Sequence, residues 1–256
     1  MGLNSPPQPV RTAFTDEQFA QPYPDGAQHQ YWYVARNKII ARRLGALLPP
    51  RGQGGQDVVL EIGCGRGIVV DYLRKRGWNV LGCELGRPSP ILPEVAPHLT
   101  FGTEAFQLPV QLRDAVKCLL LLDLLEHLAE PGAFLDSCRA KFPSCEFVFA
   151  TLPARMELWS NYDEYYGHFR RYSAGSARAL FAAQALQVLD CGYFFHLLYI
   201  PALVLRCLRL KRSLVIRAPR RPGWHAALGA CFDMEERLLP SCVPGTSLYL
   251  AARMRS

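Results

Sequence analysis

Glycines at alternate positions, with one acidic residue just before them and another about twenty residues later, mark the run Val58-Val59-Leu60-Glu61-Ile62-Gly63-Cys64-Gly65-Arg66-Gly67 as a place where chemistry could occur. A strand running into such glycines can turn tightly and lets a ligand approach the main chain closely. Glu84 ends the next apolar run, where a carboxylate can take both hydroxyls of a ribose. Glu61 is badly placed for a pyrophosphate but suits a ligand with a cationic amino group, which points away from dinucleotides and toward S-adenosylmethionine. A turn that merely needs positive φ is the structural alternative.

A second group surrounds His168. Methyl transfer from a sulfonium is an in-line displacement, so a protein that performs it must chiefly align the reacting atoms and exclude water. A general base is needed when the acceptor keeps its proton, and an imidazole with an ordinary pKa of about 6.5 suits that task. His168 is the candidate, with Trp159, Tyr162, Tyr165, Tyr166 and Tyr33 as pocket walls and Arg170 and Arg171 beside them. The alternative makes His168 and the two arginines ties for a loop, and the aromatics ordinary packing. Asp123, Glu126 and His127 have a spacing that could face a divalent ion, although no metal is expected and structure or packing is the favoured role for them.

Positioning these groups requires alternating elements. Strand-like runs at Asp57–Ile62, Asn79–Leu85, Leu99–Gly102, Ala115–Leu122, Glu146–Thr151, Gln187–Cys191 and Ser247–Ala252 alternate in part with helix-like runs at Ile68–Arg76, Pro131–Ala140 and Ala174–Ala185. That alternation predicts an α/β fold, a Rossmann-like parallel sheet with helices on both faces. Residues 1–26 are proline-rich and read as an extended arm; residues 27–50 carry helical spacing through Trp32, Ala35, Ile39 and Leu44, and are expected to form a lid helix. The core is expected over 51–199 and 245–256, with a basic helical insertion over 200–244.

The charge pattern isolates that insertion. Of 29 basic residues, Arg206, Arg209, Lys211, Arg212, Arg217, Arg220 and Arg221 lie in a stretch from Cys191 to Phe232 without one Asp or Glu, and the remaining 22 equal the 22 acidic residues. A neutral body with one basic strip argues against a general nucleic-acid binder. The strip follows the uncharged run 191–205, which is too short to span a bilayer, a task needing about 20 residues. It reads as a lid with solvent-facing arginines or as a contact for an anionic membrane or an acidic lipid-linked acceptor through 200–222. Glu235 and Glu236 are expected to neutralise part of it. Nine cysteines, without a CxxC pair, fit free thiols in a reducing compartment, and the amino terminus lacks an export pattern, so a cytoplasmic location is expected.

The segment VLEIGCGRG resembles the first motif of class I S-adenosylmethionine-dependent methyltransferases. The stretch Thr103-Glu104-Ala105-Phe106-Gln107-Leu108-Pro109 is similar to that family's adenine-contacting segment, Leu122-Asp123-Leu124-Leu125-Glu126-His127 to its stretch after the fourth strand, and Asp163-Glu164-Tyr165-Tyr166-Gly167-His168-Phe169-Arg170-Arg171-Tyr172-Ser173 to a segment of a bacterial subgroup. The resemblance implies an antiparallel seventh strand, helical lids, and cofactor contacts from Glu61, Gly63, Cys64, Gly65, Gly67, Glu84, Leu85, Glu104, Ala105 and Asp123. It implies methyl transfer to oxygen or nitrogen of a small or lipid-like metabolite. A catalytically inactive cofactor-binding partner subunit and an RNA methyltransferase are the alternatives; oligomeric state is left open.

Overall fold

The computed structural model describes residues 18, 23–50, 52, 57–215 and 217–254. Most of the expected amino-terminal arm therefore lies outside the described residues. Seven strands form one sheet: β1 (Val58–Ile62), β2 (Asn79–Glu84), β3 (Leu99–Phe101), β4 (Val116–Leu122), β5 (Phe147–Pro153), β6 (Leu186–Phe194) and β7 (Ser247–Met254). Their order is β3-β2-β1-β4-β5-β7-β6. The first five run parallel, and β7 lies antiparallel between β5 and β6.

The strand sequences explain this sheet, since β4 is apolar except for Lys117 and belongs at the centre. Alternate residues divide between two cores. Leu60, Leu119, Leu121, Val148 and Leu250 face one side, while Val59, Cys118, Leu120, Phe149 and Ala251 face the other.

Helices cover both faces. On the second core lie α1 (Tyr31–Leu47), which contributes Ile39, Ile40 and Leu44, and α2 (Ile68–Arg74), which contributes Val69, Val70 and Leu73. Short α3 (Val110–Ala115), α4 (Pro131–Lys141) and α6 (Ala174–Ala183) belong to the opposite face, the last two through Leu135, Cys138, Ala177 and Phe181. Pro131 opens α4 at a position where its missing N–H costs nothing, and Ser173 caps α6. Thus α1, expected as a lid helix, also packs in the second core, and its amino-terminal half carries Tyr33 and Arg36.

Two further helices, α7 (Tyr199–Cys207) and α8 (Pro222–Leu238), lie between β6 and β7. Arg42 and Arg43 of α1 form ion pairs with Glu236, and Arg42 also reaches Asp233 at 2.5 Å. Gly229 lies so close to α1 that a Cβ there would sit 2.7 Å from Val34. Glu235 accepts from the backbone N–H groups of His196 and Leu197. These contacts correct the expected neutralisation of the basic strip, because both carboxylates are buried against other parts of the chain.

Candidate active site at the carboxyl ends of the strands

The strand order reverses between β1 and β4, and in open α/β sheets the crevice beyond such a reversal is where ligands bind. The glycine loop leaves β1 there. Gly63, Gly65 and Gly67 all have left-handed φ, of 76°, 52° and 83°. The N–H groups of Gly63 and Cys64 donate to the Cys83 carbonyl, which fixes the loop to β2. A Cβ at Gly65 would come within 3.0 Å of the Tyr23 ring, and Arg66 holds that tyrosine by donating to its carbonyl at 2.5 Å.

Glu84 ends β2 with its carboxylate accepting from the N–H of Gly65 at 3.0 Å and of Gly86 at 3.2 Å. It braces the loop in this structure, and burial raises its pKa. Leu85 is half-buried beside it, and the Gly102 N–H donates to the Glu84 carbonyl, which brings the turn holding Glu104 and buried Ala105 to the same edge. The half-buried Glu104 caps the 3-10 turn Ala105–Gln107 through its carbonyl.

Glu61 is 3% exposed, and its Oε2 has no hydrogen-bond partner among the described residues. Burial pushes its carboxyl up to about 8; Arg36 opposes the rise, while Glu84 and Asp123 add to it. Because this value exceeds the ordinary 4.5, the stabilisation associated with a protonated Glu61 is complete below the ordinary value and is lost as pH rises through about 8. Glu61→Gln is therefore expected to raise the melting temperature of the ligand-free protein at about pH 9 and to change it little at about pH 4. Thermal unfolding at the two pH values checks this, and equal shifts would show that charge at position 61 is not the cause.

Asp123 follows β4 with φ 52°, a strained conformation for a residue with a side chain. Arg36, 5% exposed and carried by α1, donates to Asp123 at 2.7 Å and to Thr151 at 3.1 Å; Thr151 in turn donates to Asp123. This pairing gives the Asp123 carboxylate a different role from the metal-facing one considered above. The group that does converge is Glu126, His127 and His168, each with one potential ligand atom within 4.8 Å of the others'. Burial, then His168, lowers His127 to about 4, while burial and Asp123 raise Glu126 well above the carboxylate range, so both favour their neutral forms.

The loop after β5 supplies the second half of the site. Ser160 and Asp163 form a capping box on α5 (Asn161–Tyr165). Asp163, fully buried, accepts at one oxygen from Ser160 and at the other from Arg171 Nε at 2.8 Å, and that second oxygen also lies 2.9 Å from His168 Nδ1. Burial alone would raise its carboxyl, but hydrogen bonds from His168 and Arg171 and the charge of Arg171 prevail and hold it at about 2. A carboxylate only accepts, so Nδ1 of His168 carries the hydrogen and Nε2 is left as the basic nitrogen. The His127 and His168 rings meet edge to face at 4.5 Å, and the Tyr162 ring is 6.3 Å from His168.

A methyltransferase domain model matches residues 31–190, more than half of the chain, from α1 through the glycine loop and the loop after β5. The chain belongs to this family. The ubiquinone biosynthesis O-methyltransferase of Idiomarina loihiensis is 30% identical over 114 residues, which are 40% of this chain and 44% of that one. The enzyme of the same name from Pseudomonas fluorescens SBW25 is 29% identical over 106 residues, 37% of this chain and 44% of its own. These matches span under half the length of the relatives. Among solved structures, a Burkholderia thailandensis 1,6-didemethyltoxoflavin-N1-methyltransferase superposes with a TM-score of 0.56 at 16% identity, covering 97% of this chain and 94% of that one. A Haemonchus contortus phosphoethanolamine N-methyltransferase 2 gives 0.54 at 13%, with 95% and 61% covered. At such identities the likeness speaks for the fold.

The aromatic residues of the site fall into two groups, a tyrosine wall of Tyr162, Tyr165 and Tyr166 and a pair, Tyr23 and Tyr33. Tyr162 lies 4.5 Å from Tyr166, Tyr165 lies 5.1 Å from Tyr166, and Tyr33 lies 6.1 Å from Tyr23, while Trp159 is half-buried at the start of the loop. Arg170 donates to the Leu128 and Ala129 carbonyls, and buried Arg171 donates to Asp163 and the Ala154 carbonyl. Both guanidinium groups thus tie the loop to the domain here. The sequence reading did not pick out Tyr23, Arg36 or Asp163. Asp163 alone carried a signal, since it stands five residues before His168 in the resembling segment.

Proposed function

We propose that this chain is an S-adenosylmethionine-dependent methyltransferase acting on an oxygen of a small molecule, with His168 as general base. The observation that carries the reading is the His168–Asp163 pair, which presents a basic nitrogen at the same end of the sheet as the glycine loop. The residues fit the cofactor on two counts. Glu61 Oε2 is a buried acceptor without a partner among the described residues, suited to a cationic amino group, and Gly63, Gly65 and Gly67, all at left-handed φ, keep side chains off the turn of the loop so that a ligand can approach its main chain.

Glu61 would hold the amino acid end of the cofactor, Glu84 the ribose after exchanging its loop contacts, and Glu104 the adenine. S-adenosylmethionine supplies an electrophilic methyl group when bound. Asp163 keeps His168 in one tautomer and orientation, and Nε2 of His168 takes the acceptor's proton. The tyrosine wall excludes water and orients the acceptor, which is how a domain without a covalent intermediate gains most of its rate. The O-methyltransferase names of the curated relatives support oxygen over nitrogen.

His168→Ala is expected to lower turnover by about 10²- to 10⁴-fold while leaving S-adenosylhomocysteine affinity nearly unchanged. Initial rates with calorimetry check this, and unaltered turnover at equal thermal stability would remove His168 from the mechanism. The reaction itself is tested by incubating the protein with methyl-labelled cofactor and a cell extract, followed by mass spectrometry. A single labelled small molecule is the expected product. Label confined to RNA would favour the RNA methyltransferase reading, and cofactor binding without product would favour the inactive partner. A stoichiometric divalent ion in elemental analysis, with turnover lost on chelation, would replace the base by a metal held at Glu126, His127 and His168.

A further inference from the structure

We propose that α7 and the strip after it form a docking face for anionic phospholipid membranes. The first observation is an unpartnered apolar stripe. Ile200, Val204 and Leu208 recur at four-residue steps along α7 and its cap, and they are 61%, 48% and 63% exposed, with Leu197 at 62% just before the helix. The opposite side of α7 is engaged: Tyr199, Ala202 and Leu203 are half-buried, and Tyr199 donates to Glu157 at 3.0 Å. Burying exposed leucine and isoleucine is favourable by roughly 1.5–3 kcal/mol per side chain, so the stripe is a surface with a use.

The second observation is charge. Arg206, Arg209, Lys211, Arg217, Arg220 and Arg221 are exposed, and among the described residues none of them forms an ion pair, while Arg212 turns its guanidinium over the Tyr162 ring at 5.0 Å. Asp233, Glu235 and Glu236, the first acidic residues after the strip, are committed to Arg42 and Arg237, to the His196–Leu197 backbone and to α1. Arg221, the last residue of the strip, stands three positions before Trp224, which is 73% exposed.

Apolar side chains next to unneutralised arginines match a bilayer surface, where acyl chains take the first and anionic headgroups the second. A second copy would bring the same positive charges together, and a nucleic acid would leave the leucines in water. Among the described residues no helix is long and apolar enough to cross a membrane, so the contact is peripheral. Reciprocal hydrogen bonds between Asn161 and Arg212 join this face to the tyrosine wall. The inference stands independently of the methyl-transfer reading, since it uses none of the catalytic groups.

Vesicle co-sedimentation of the full chain tests it. Vesicles of phosphatidylcholine with phosphatidylglycerol at low salt are expected to pellet the protein, and pure phosphatidylcholine vesicles are not. Raising salt to about 0.5 M should release most of it, because the Debye length falls well below its value of about 10 Å at 0.1 M. The double variant Ile200→Glu, Val204→Glu should weaken binding by at least about tenfold, as should Arg206→Glu, Arg209→Glu. Circular dichroism melting should match the parent for both, since these side chains are exposed. Protein left in the supernatant with anionic vesicles at low salt overturns the proposal. So does pelleting that the apolar variant leaves unchanged, or a face whose only measurable effect is self-association in ultracentrifugation.

Discussion

Gly65→Val is expected to bring S-adenosylhomocysteine binding below detection, a loss of at least about 100-fold, or 2.7 kcal/mol. Two effects add. Gly65 has φ 52°, which costs a β-branched residue about 1–3 kcal/mol, and its Cβ position lies 3.0 Å from the ring of Tyr23, before the two valine methyls are placed. Gly65→Ala keeps the backbone cost and drops the methyls, so it should bind with intermediate affinity. Isothermal calorimetry on both variants separates backbone from space. Parental affinity in Gly65→Val, or binding of NAD with no response to S-adenosylhomocysteine, would sink the assignment of this loop to that cofactor.

Asp163→Asn is expected to produce the largest loss of stability among the site substitutions, about 3–5 kcal/mol. It keeps the shape of a fully buried side chain but removes the charge that Arg171, itself 7% exposed, is paired with. An amide nitrogen cannot accept from His168, Arg171 or Ser160, so at least one buried donor loses its partner. Turnover should fall as well, because nothing then selects the Nδ1-protonated tautomer of His168. The pH dependence carries the signature. The carboxyl stands at about 2 against an ordinary 3.8, so its stabilisation is present above the ordinary value and fades as pH falls toward 2. The parent protein should lose this increment on acidification and Asp163→Asn should have none to lose. Denaturant titrations at neutral and acid pH measure both, and a destabilisation below about 1 kcal/mol would show that Asp163 does not hold the loop together.

Much of the fold was legible because its signals are local. The glycine loop and β4, apolar but for Lys117, each speak through neighbours in sequence, and the seven strands lie within a few residues of their expected ranges. Short α3 was not legible, since six residues without a buried side chain leave no apolar period to read. The candidate cofactor residues Glu61, Gly63, Gly65, Gly67 and Glu84 could be named from type and spacing, whereas Leu85, Glu104, Ala105 and Asp123 needed the family resemblance. Sequence also isolated the basic strip, because the absence of acid over a long stretch is a property of composition alone.

Tertiary structure decided what each charged group faces. Arg36 reads as an ordinary helical arginine until α1 packs on the sheet and delivers it to Asp123, 87 positions away. Asp163 becomes the partner of His168 and Arg171 only when the loop after β5 folds back on itself, and Glu236 leaves the basic strip uncompensated only because α8 docks on Arg42 and Arg43. The physical reason is common to all three. Local propensity acts over a few residues, whereas a buried charge takes whichever opposite charge the packing of distant elements places within hydrogen-bond reach.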